Sequence, residues 1–144
     1  MAGNLNGPIF MTAQGGGGTG VTPPFLFSKD GNATVGTSLR TGVAASNKTG
    51  QATKGLNIIV EIQASNSRNV GSTTRIQLTR RTAVTTFTDI TNAFVDIPAG
   101  NYRGSNKNLS ILLNADEELG AYVKSGVTLG DPVVAVYLAP AGGG

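Results

Sequence analysis

Apolar and polar residues alternate along much of this chain with the two-residue period of half-buried β-strands. The alternation is clearest from Leu56 to Ala64 and from Thr73 to Thr79, and a continuous apolar run extends from Val133 to Leu138. Side chains along a strand point to opposite faces in turn, so each such segment can bury one face. The pattern predicts about eight short strands and, at most, one helical turn at Ala115–Leu119.

We expect strands that follow one another in the chain to pair as hairpins. Leu56–Ala64 would pair with Thr73–Thr79 across the polar turn between them, and Thr82–Thr88 and Ala93–Ile97 would be two further strands. Tyr102–Lys107 has little to bury and is expected to be a polar link.

The densest apolar content lies between Asn108 and Leu138. Leu109–Leu113, Ala121–Val127 and Val133–Leu138 are separated by acidic and glycine-containing turns, and we expect them to form an antiparallel meander around which the rest packs. Many short strands joined by polar connections predict an all-β protein, an antiparallel β-sandwich of the jelly-roll type. An open barrel is the alternative.

The chain divides by composition into a short arm and one domain. Residues 1–22 would form an extended, glycine-rich arm, residues 23–140 the sandwich, and residues 141–144 a glycine tail. Within the arm, Pro8, Ile9, Phe10 and Met11 form an apolar cluster, and Gly15–Gly18 would act as a joint. A disordered tail is the alternative, but the apolar cluster favours an anchor that contacts another surface.

The composition is unusual for its low charge. Gly, Thr, Asn and Ser make up 59 of the 144 residues, whereas charged residues make up 13%, about half the share in an ordinary soluble domain. Surfaces of this kind are common in extracellular β-proteins and in virion proteins. No long apolar run or signal peptide is visible, so we expect a soluble protein that does not enter a membrane.

The residue types exclude most catalytic chemistry. There is no His and no Cys, so the usual nucleophile-and-base pairs, disulfides and zinc sites built on these residues cannot form. We expect no enzyme activity, no cofactor and no metal ion. The alternative of a Ca²⁺ site would use Asp116, Glu117 and Glu118 with Asp131, and a weaker candidate is Asp30-Gly31-Asn32.

Arg75, Arg80 and Arg81 belong to the densest basic group in the sequence. They form no continuous stripe with interleaved aromatic residues, so we do not expect nucleic-acid binding. An arginine fork suits a carboxylate, and we expect these arginines, together with Asp116, Glu117 and Glu118, to lie at contacts between subunits.

Three segments in the last third of the chain resemble a known family. The closing strands of trimeric jelly rolls are similar to Ile97-Pro98-Ala99-Gly100-Asn101-Tyr102, to Leu109–Leu113, and to the stretch from Gly126 to Val136 with its Leu129-Gly130-Asp131 turn. With the glycine-rich arm and the Thr/Asn-rich surface, the chain is similar to the small decoration, or cement, proteins of tailed-bacteriophage heads. Residues 95–139 carry this resemblance by motif, and the rest of the chain by composition.

The resemblance implies a structural virion protein that binds the major capsid protein on the outer surface of the capsid and stabilises it, as a homotrimer assembled in the host cytoplasm. Pro8, Ile9, Phe10 and Met11 would then contact the capsid. Two alternatives stay open: a receptor- or glycan-binding β-domain of a tail fibre or appendage, and a structural subunit of the capsid or tail itself.

Overall fold

The computed structural model describes residues 24–39, 57–84, 86–114 and 117–140, together with the backbone of residues 51 and 52. These residues form strands and no helix. In chain order the strands are β1 (Phe25–Ser28), β2 (Asn32–Ala33), β3 (Ser38–Leu39), β4 (Gln51–Ala52), β5 (Asn57–Ser65), β6 (Thr74–Ala83), β7 (Thr86–Ile97), β8 (Arg103–Asn106), β9 (Ile111–Leu113), β10 (Glu118–Ser125), β11 (Leu129–Gly130) and β12 (Val133–Pro140).

The strands form two antiparallel sheets, each four strands wide. In sheet I the order is β9-β5-β12-β1. β5 pairs with β12 along one edge, and with β8 and β9 in succession along its other edge. In sheet II the order is β3-β10-β6-β7, and β4 pairs with β10 beside β3. A small two-stranded sheet of β11 and β2 lies apart from both.

The pairing is that of a jelly roll. When β3 and β4 count as one position and β8 and β9 as another, the sheets contain eight positions. The first pairs with the eighth, the second with the seventh, the third with the sixth and the fourth with the fifth. A long hairpin folded over on itself gives this order. The all-β class and the jelly-roll type of sandwich are thus confirmed.

The predicted C-terminal meander is wrong. β9, β10 and β12 do not pair with one another, because β10 lies in sheet II while β9 and β12 lie on either side of β5 in sheet I. The helical turn expected before β10 lies partly outside the described residues, and its last two residues already belong to that strand. In a jelly roll the connections at this end of the chain cross between the sheets, so neighbours in sequence are separated in space.

Three other expectations about the middle of the chain are also wrong. β5 and β6 belong to different sheets, so they form no hairpin. β6, which includes Thr82 and Ala83, instead pairs with the single long strand β7, and these two strands take the place of the two expected between Thr82 and Ile97. The expected polar link contains β8, whose backbone pairs with β5 from Ile62 to Ser65 although its side chains are small or polar.

The core lies between the two sheets and consists of aliphatic side chains with one large aromatic ring. Phe27, Ile59 and Ile62 from sheet I and Ile76 and Leu78 from sheet II are completely buried. Burial of each such side chain contributes about 1.5–3 kcal/mol. In β5 the buried face changes at Val60, where one extra residue interrupts the pairing with β12, so Ile59 and Ile62 both point inward.

The two sheets approach each other closely where β8 lies beside β7. The Asn106 side-chain amide donates a hydrogen bond to the Phe94 carbonyl oxygen at 2.9 Å. A Cβ atom placed on Gly104 would overlap the Asp96 carbonyl oxygen and lie 3.1 Å from the Cα of Ile97. Only glycine permits this approach of the two backbones.

Candidate interaction surfaces

The outer face of sheet II carries charged side chains that are paired within the chain. Arg75 Nε and Nη2 donate to the two carboxylate oxygens of Asp96 at 2.8 and 3.0 Å. The guanidinium also lies 3.7 Å from the centre of the Phe94 ring. The hydrogen bond to Asp96 and its negative charge raise the pKa of Arg75 further above its ordinary value, so Arg75 stays positively charged at any physiological pH.

Arg80 and Arg81 are held by the two glutamates predicted as their neighbours in an assembly. Arg80 Nε lies 3.4 Å from a carboxylate oxygen of Glu117, whose side chain is 8% exposed, and Arg80 donates to the Leu112 carbonyl across the sandwich. Arg81 pairs with Glu118 and donates to the Ala83 and Val84 carbonyls at the end of β6. The structure thus gives each of the three arginines an acid partner in its own chain.

The remaining predicted contact residues, Pro8, Ile9, Phe10, Met11 and Asp116, lie outside the described residues. That Arg75, Arg80, Arg81, Glu117 and Glu118 also contact a second subunit stays a prediction.

A second network on sheet II has no counterpart in the sequence prediction. Tyr122 OH donates to Asp89 Oδ1 at 3.0 Å, and Lys124 Nζ lies 2.8 Å from Asp89 Oδ2. Partial burial and the hydrogen bond to the negatively charged Asp89 raise the pKa of Tyr122, and the same carboxylate raises the pKa of Lys124. The three residues come from β7 and β10, which are separated by β6, so local sequence carries no signal of their contact.

Sheet I has a different outer face, on which apolar side chains lie beside the polar Glu61, Gln63 and Ser65 of β5. Side chains of alternate residues in β1, β5, β9 and β12 point outward there, and three of the exposed ones are apolar and large: Leu26 is 53% exposed, Leu112 55% and Val133 39%. Half-buried apolar side chains continue the surface between them, namely Ile58, Ala135, Tyr137 and Ala139. We call these seven residues the sheet I apolar face.

A shallow cavity of about 470 Å³ opens beside the sheet I apolar face, along β8. Its apolar lining includes Val133 and Ala135. Its polar lining consists of side chains from β5, β8 and the residue after β8, which are Gln63, Ser65, Arg103, Ser105 and Lys107. We call this feature the β8 cavity.

Arg103 and Lys107 differ from the other cations of the described chain. Eight lysines and arginines lie in that part of the chain, and six of them contact an acceptor: Lys29, Arg68, Arg75, Arg80, Arg81 and Lys124. Arg103 and Lys107 have no acceptor among the described residues. Both line the β8 cavity, so its rim is positively charged.

Neither a metal site nor a membrane helix is found in the part of the chain that the structure describes. No three Asp or Glu side chains there lie close enough together to hold a metal ion. Of the calcium candidates, Glu117 and Glu118 are paired with arginines, and Asp131 Oδ1 accepts the N–H of Gly31 at 2.6 Å. No described helix has the length and apolarity needed to span a bilayer.

Comparison with known proteins gives distant structural similarity alone. No protein-family model and no curated protein matches the chain. The Eiger TNF of S. frugiperda is similar over 84% of this chain and 96% of its own, at 13% identity and a TM-score of 0.39. A Podospora anserina GH26-CBM35 β-(1,4)-mannanase is similar over 84% of this chain but 29% of its own, at 14% identity and a TM-score of 0.43.

Proposed function

We propose that the chain is a structural virion protein that binds the outer surface of a tailed-phage capsid as a homotrimer and stabilises the shell. The observation that carries this proposal is the sheet I apolar face. Exposed large apolar side chains grouped on one face of a sheet favour association with another protein surface. The face therefore supports a role in assembly, either between copies of the chain or between the chain and the shell.

The two outer faces of the sandwich suit different tasks. On sheet II the arginines and lysines are neutralised by carboxylates of the same chain. A second subunit that used these pairs would gain little, because exposed ion pairs contribute about 0–1 kcal/mol each. Leu26, Leu112 and Val133 on sheet I are apolar and exposed, so a partner can cover them without breaking an ion pair of the chain. In the proposed role, sheet I thus provides most of the contact energy.

The proposed mechanism is multivalent. A trimer presents three copies of each contact, and a modest contact repeated on one rigid body gives a much higher overall affinity. The N-terminal segment with Pro8, Ile9, Phe10 and Met11 adds a further contact to the capsid in this proposal. No covalent step or cofactor is required.

The association is tested by native mass. Wild-type protein should run as a trimer, three times 14.6 kDa, in light scattering after size exclusion. Leu26→Ser with Leu112→Ser should convert it to a folded monomer, because both serines remove exposed apolar contact area. The matched control is Val84→Ser, since Val84 is 79% exposed but lies at the hairpin end of sheet II. Trimers that persist in the double variant contradict the role of sheet I.

Capsid binding is tested separately, on emptied heads of the phage that encodes the chain. Wild-type protein should saturate a fixed number of sites, and deletion of residues 1–20 should abolish binding without unfolding the domain. Full occupancy by the truncated protein contradicts the anchor. Failure of the full-length chain to bind the heads overturns the capsid proposal.

A further inference from the structure

We infer that the β8 cavity binds an acidic side chain, Asp or Glu, presented by a protein partner. The starting point is the pair of cations at its rim, Arg103 and Lys107. Every other described lysine or arginine contacts an acceptor in the chain, whereas these two have none among the described residues. Two unneutralised cations at one cavity select for an anion.

The geometry of the cavity favours a carboxylate. Arg103 provides a planar fork that can donate two parallel hydrogen bonds, and Lys107 provides a compact point charge. Ser65 and Ser105 provide hydroxyl groups on the same outer face. In the pairing of β5 with β8, Ser65 lies opposite Arg103 and Ser105 lies opposite Gln63. The cavity therefore combines charge with hydrogen-bond donors that can fix the orientation of a small anionic group.

The surroundings favour a protein as the source of the carboxylate. Val133 and Ala135 form the apolar side of the cavity and belong to the sheet I apolar face, so a partner that reaches the cavity also covers that face. None of the nine lining residues is aromatic, which leaves no ring inside the cavity on which a sugar could stack. A polypeptide that places an apolar side chain next to Asp or Glu fits both parts.

In the capsid-binding role proposed above, the β8 cavity would provide the charged part of the contact beside sheet I. Ionic steering of this kind raises association rates and fixes the orientation of partners more than it raises affinity. The inference itself is about the chemistry that the cavity recognises, and it can be tested without a capsid.

The experiment is an NMR titration of the ¹⁵N-labelled full chain with the blocked dipeptide acetyl-Leu-Glu-amide. Its uncharged isostere, acetyl-Leu-Gln-amide, is the matched ligand control. The inference predicts saturable shifts of the backbone signals at residues 63–65, 103–107 and 133–135 with the Glu peptide, and at least a tenfold weaker response with the Gln peptide. Equal responses to both peptides, or shifts spread over the whole chain, overturn it.

Variants locate the site. Arg103→Gln with Lys107→Gln should remove the saturable response, whereas Lys29→Gln should leave it unchanged, because Lys29 is not among the cavity residues. The double substitution is on exposed side chains, and an unchanged spectrum elsewhere in the chain shows that the variant is folded. A response that survives the double substitution overturns the inference.

Two further ligands distinguish the source of the anion. Methyl glucuronide carries a carboxylate on a sugar, and inorganic phosphate is a simple anion. Stronger saturable binding of either one than of the Glu peptide, at the same residues, overturns the assignment to a protein side chain. The head-binding assay then tests the proposed function independently: binding of the peptide by a chain that fails to occupy heads supports the cavity and contradicts the capsid role.

Discussion

Arg75 and Asp96 lie opposite each other in the pairing of β6 with β7, and their side chains form two parallel hydrogen bonds of 2.8 and 3.0 Å on the outer face of sheet II. The guanidinium carbon of Arg75 also lies over the ring of Phe94, 3.7 Å from the centre of the ring. The planar fork of arginine serves both contacts at once, and a lysine would keep the charge but lose the fork and the stacking.

Arg75→Lys should therefore lower the free energy of unfolding by about 1 kcal/mol, the combined scale of an exposed ion pair and a cation–π contact. Urea denaturation measures the change. Arg103→Lys is the matched control, because Arg103 has no acceptor among the described residues, and its midpoint should stay at the wild-type value. Equal losses in both variants would contradict the structural role of the Arg75 contacts.

Gln77 fills a gap in the pairing of β6 with β7. The register jumps there from Gln77 opposite Phe94 to Thr79 opposite Asp89, and Asn92 in the excursion has a φ of 67°. The buried Gln77 amide nitrogen lies 2.8, 2.9 and 3.1 Å from the carbonyl oxygens of Leu78, Ile90 and Ala93. It satisfies acceptors that the interrupted ladder leaves unpaired.

Gln77→Met should cost about 1–3 kcal/mol, because methionine has a similar shape but leaves these buried carbonyls without a donor. Denaturant unfolding measures the loss. Gln63→Met on the exposed face of β5 is the control, and it should change stability by less than about 0.5 kcal/mol. A neutral Gln77→Met would show that the carbonyls find other donors.

Gly104→Ala should destabilise the sandwich by about 1–3 kcal/mol, since the added methyl group forces β8 away from β7. Gly71→Ala is a suitable control, because a Cβ at position 71 meets nothing within 4 Å. Thermal unfolding of the two variants gives the comparison. If Gly104→Ala unfolds at the same temperature as Gly71→Ala, the backbones of β8 and β7 can move apart without loss of stability, which would contradict the prediction.

Alkaline pH should weaken the fold through Tyr122. Its pKa is raised in the folded protein above the ordinary 10.0 by burial and by Asp89, so the folded state holds the phenol proton more tightly than the unfolded state does. This contribution is complete below pH 10.0 and is lost as the pH rises through the folded pKa. Tyr122→Phe should therefore show a smaller loss of stability than wild type between pH 9 and 11.5.

The same substitution provides a direct readout. The difference between wild-type and Tyr122→Phe absorbance at 295 nm during a pH titration isolates the ionisation of Tyr122. A midpoint at or below 10.0 for that difference would contradict the contact with Asp89, because a neighbouring carboxylate opposes formation of phenolate.

The alternation of side chains was enough to predict the class of fold and several of its strands, although β8 was expected to be a polar link and β7 was expected as two strands. Strands such as β5 and β12 can be recognised in the sequence because each buries one face. Their partners were not predictable in this way, because β5 pairs with β12 some seventy residues later and not with β6, which follows it. Local periodicity carries no information on which of two sheets a strand enters.

The candidate surfaces show the same division. The pairing of Arg80 and Arg81 with acids at 117 and 118 follows from the preference of arginine for carboxylates, although the structure places the pairs within one chain. Arg103 was counted in the basic group of the sequence but not predicted as a contact residue, because its strand is short and polar and was expected to be a polar link. Only its position on β8, opposite Ser65, reveals it as a free cation beside an apolar face.

The pairing of β1 with β12 affects how the chain is made. Phe27 lies opposite Val134. In the described part of sheet I, β1 has β12 as its only neighbour, so β1 cannot pair until more than a hundred further residues have been synthesised. At ribosomal rates of about 5–20 residues per second, that interval lasts roughly 5–20 s. During this time the Phe25-Leu26-Phe27 segment is exposed on the nascent chain, and we expect chaperone capture and aggregation of interrupted chains to begin there.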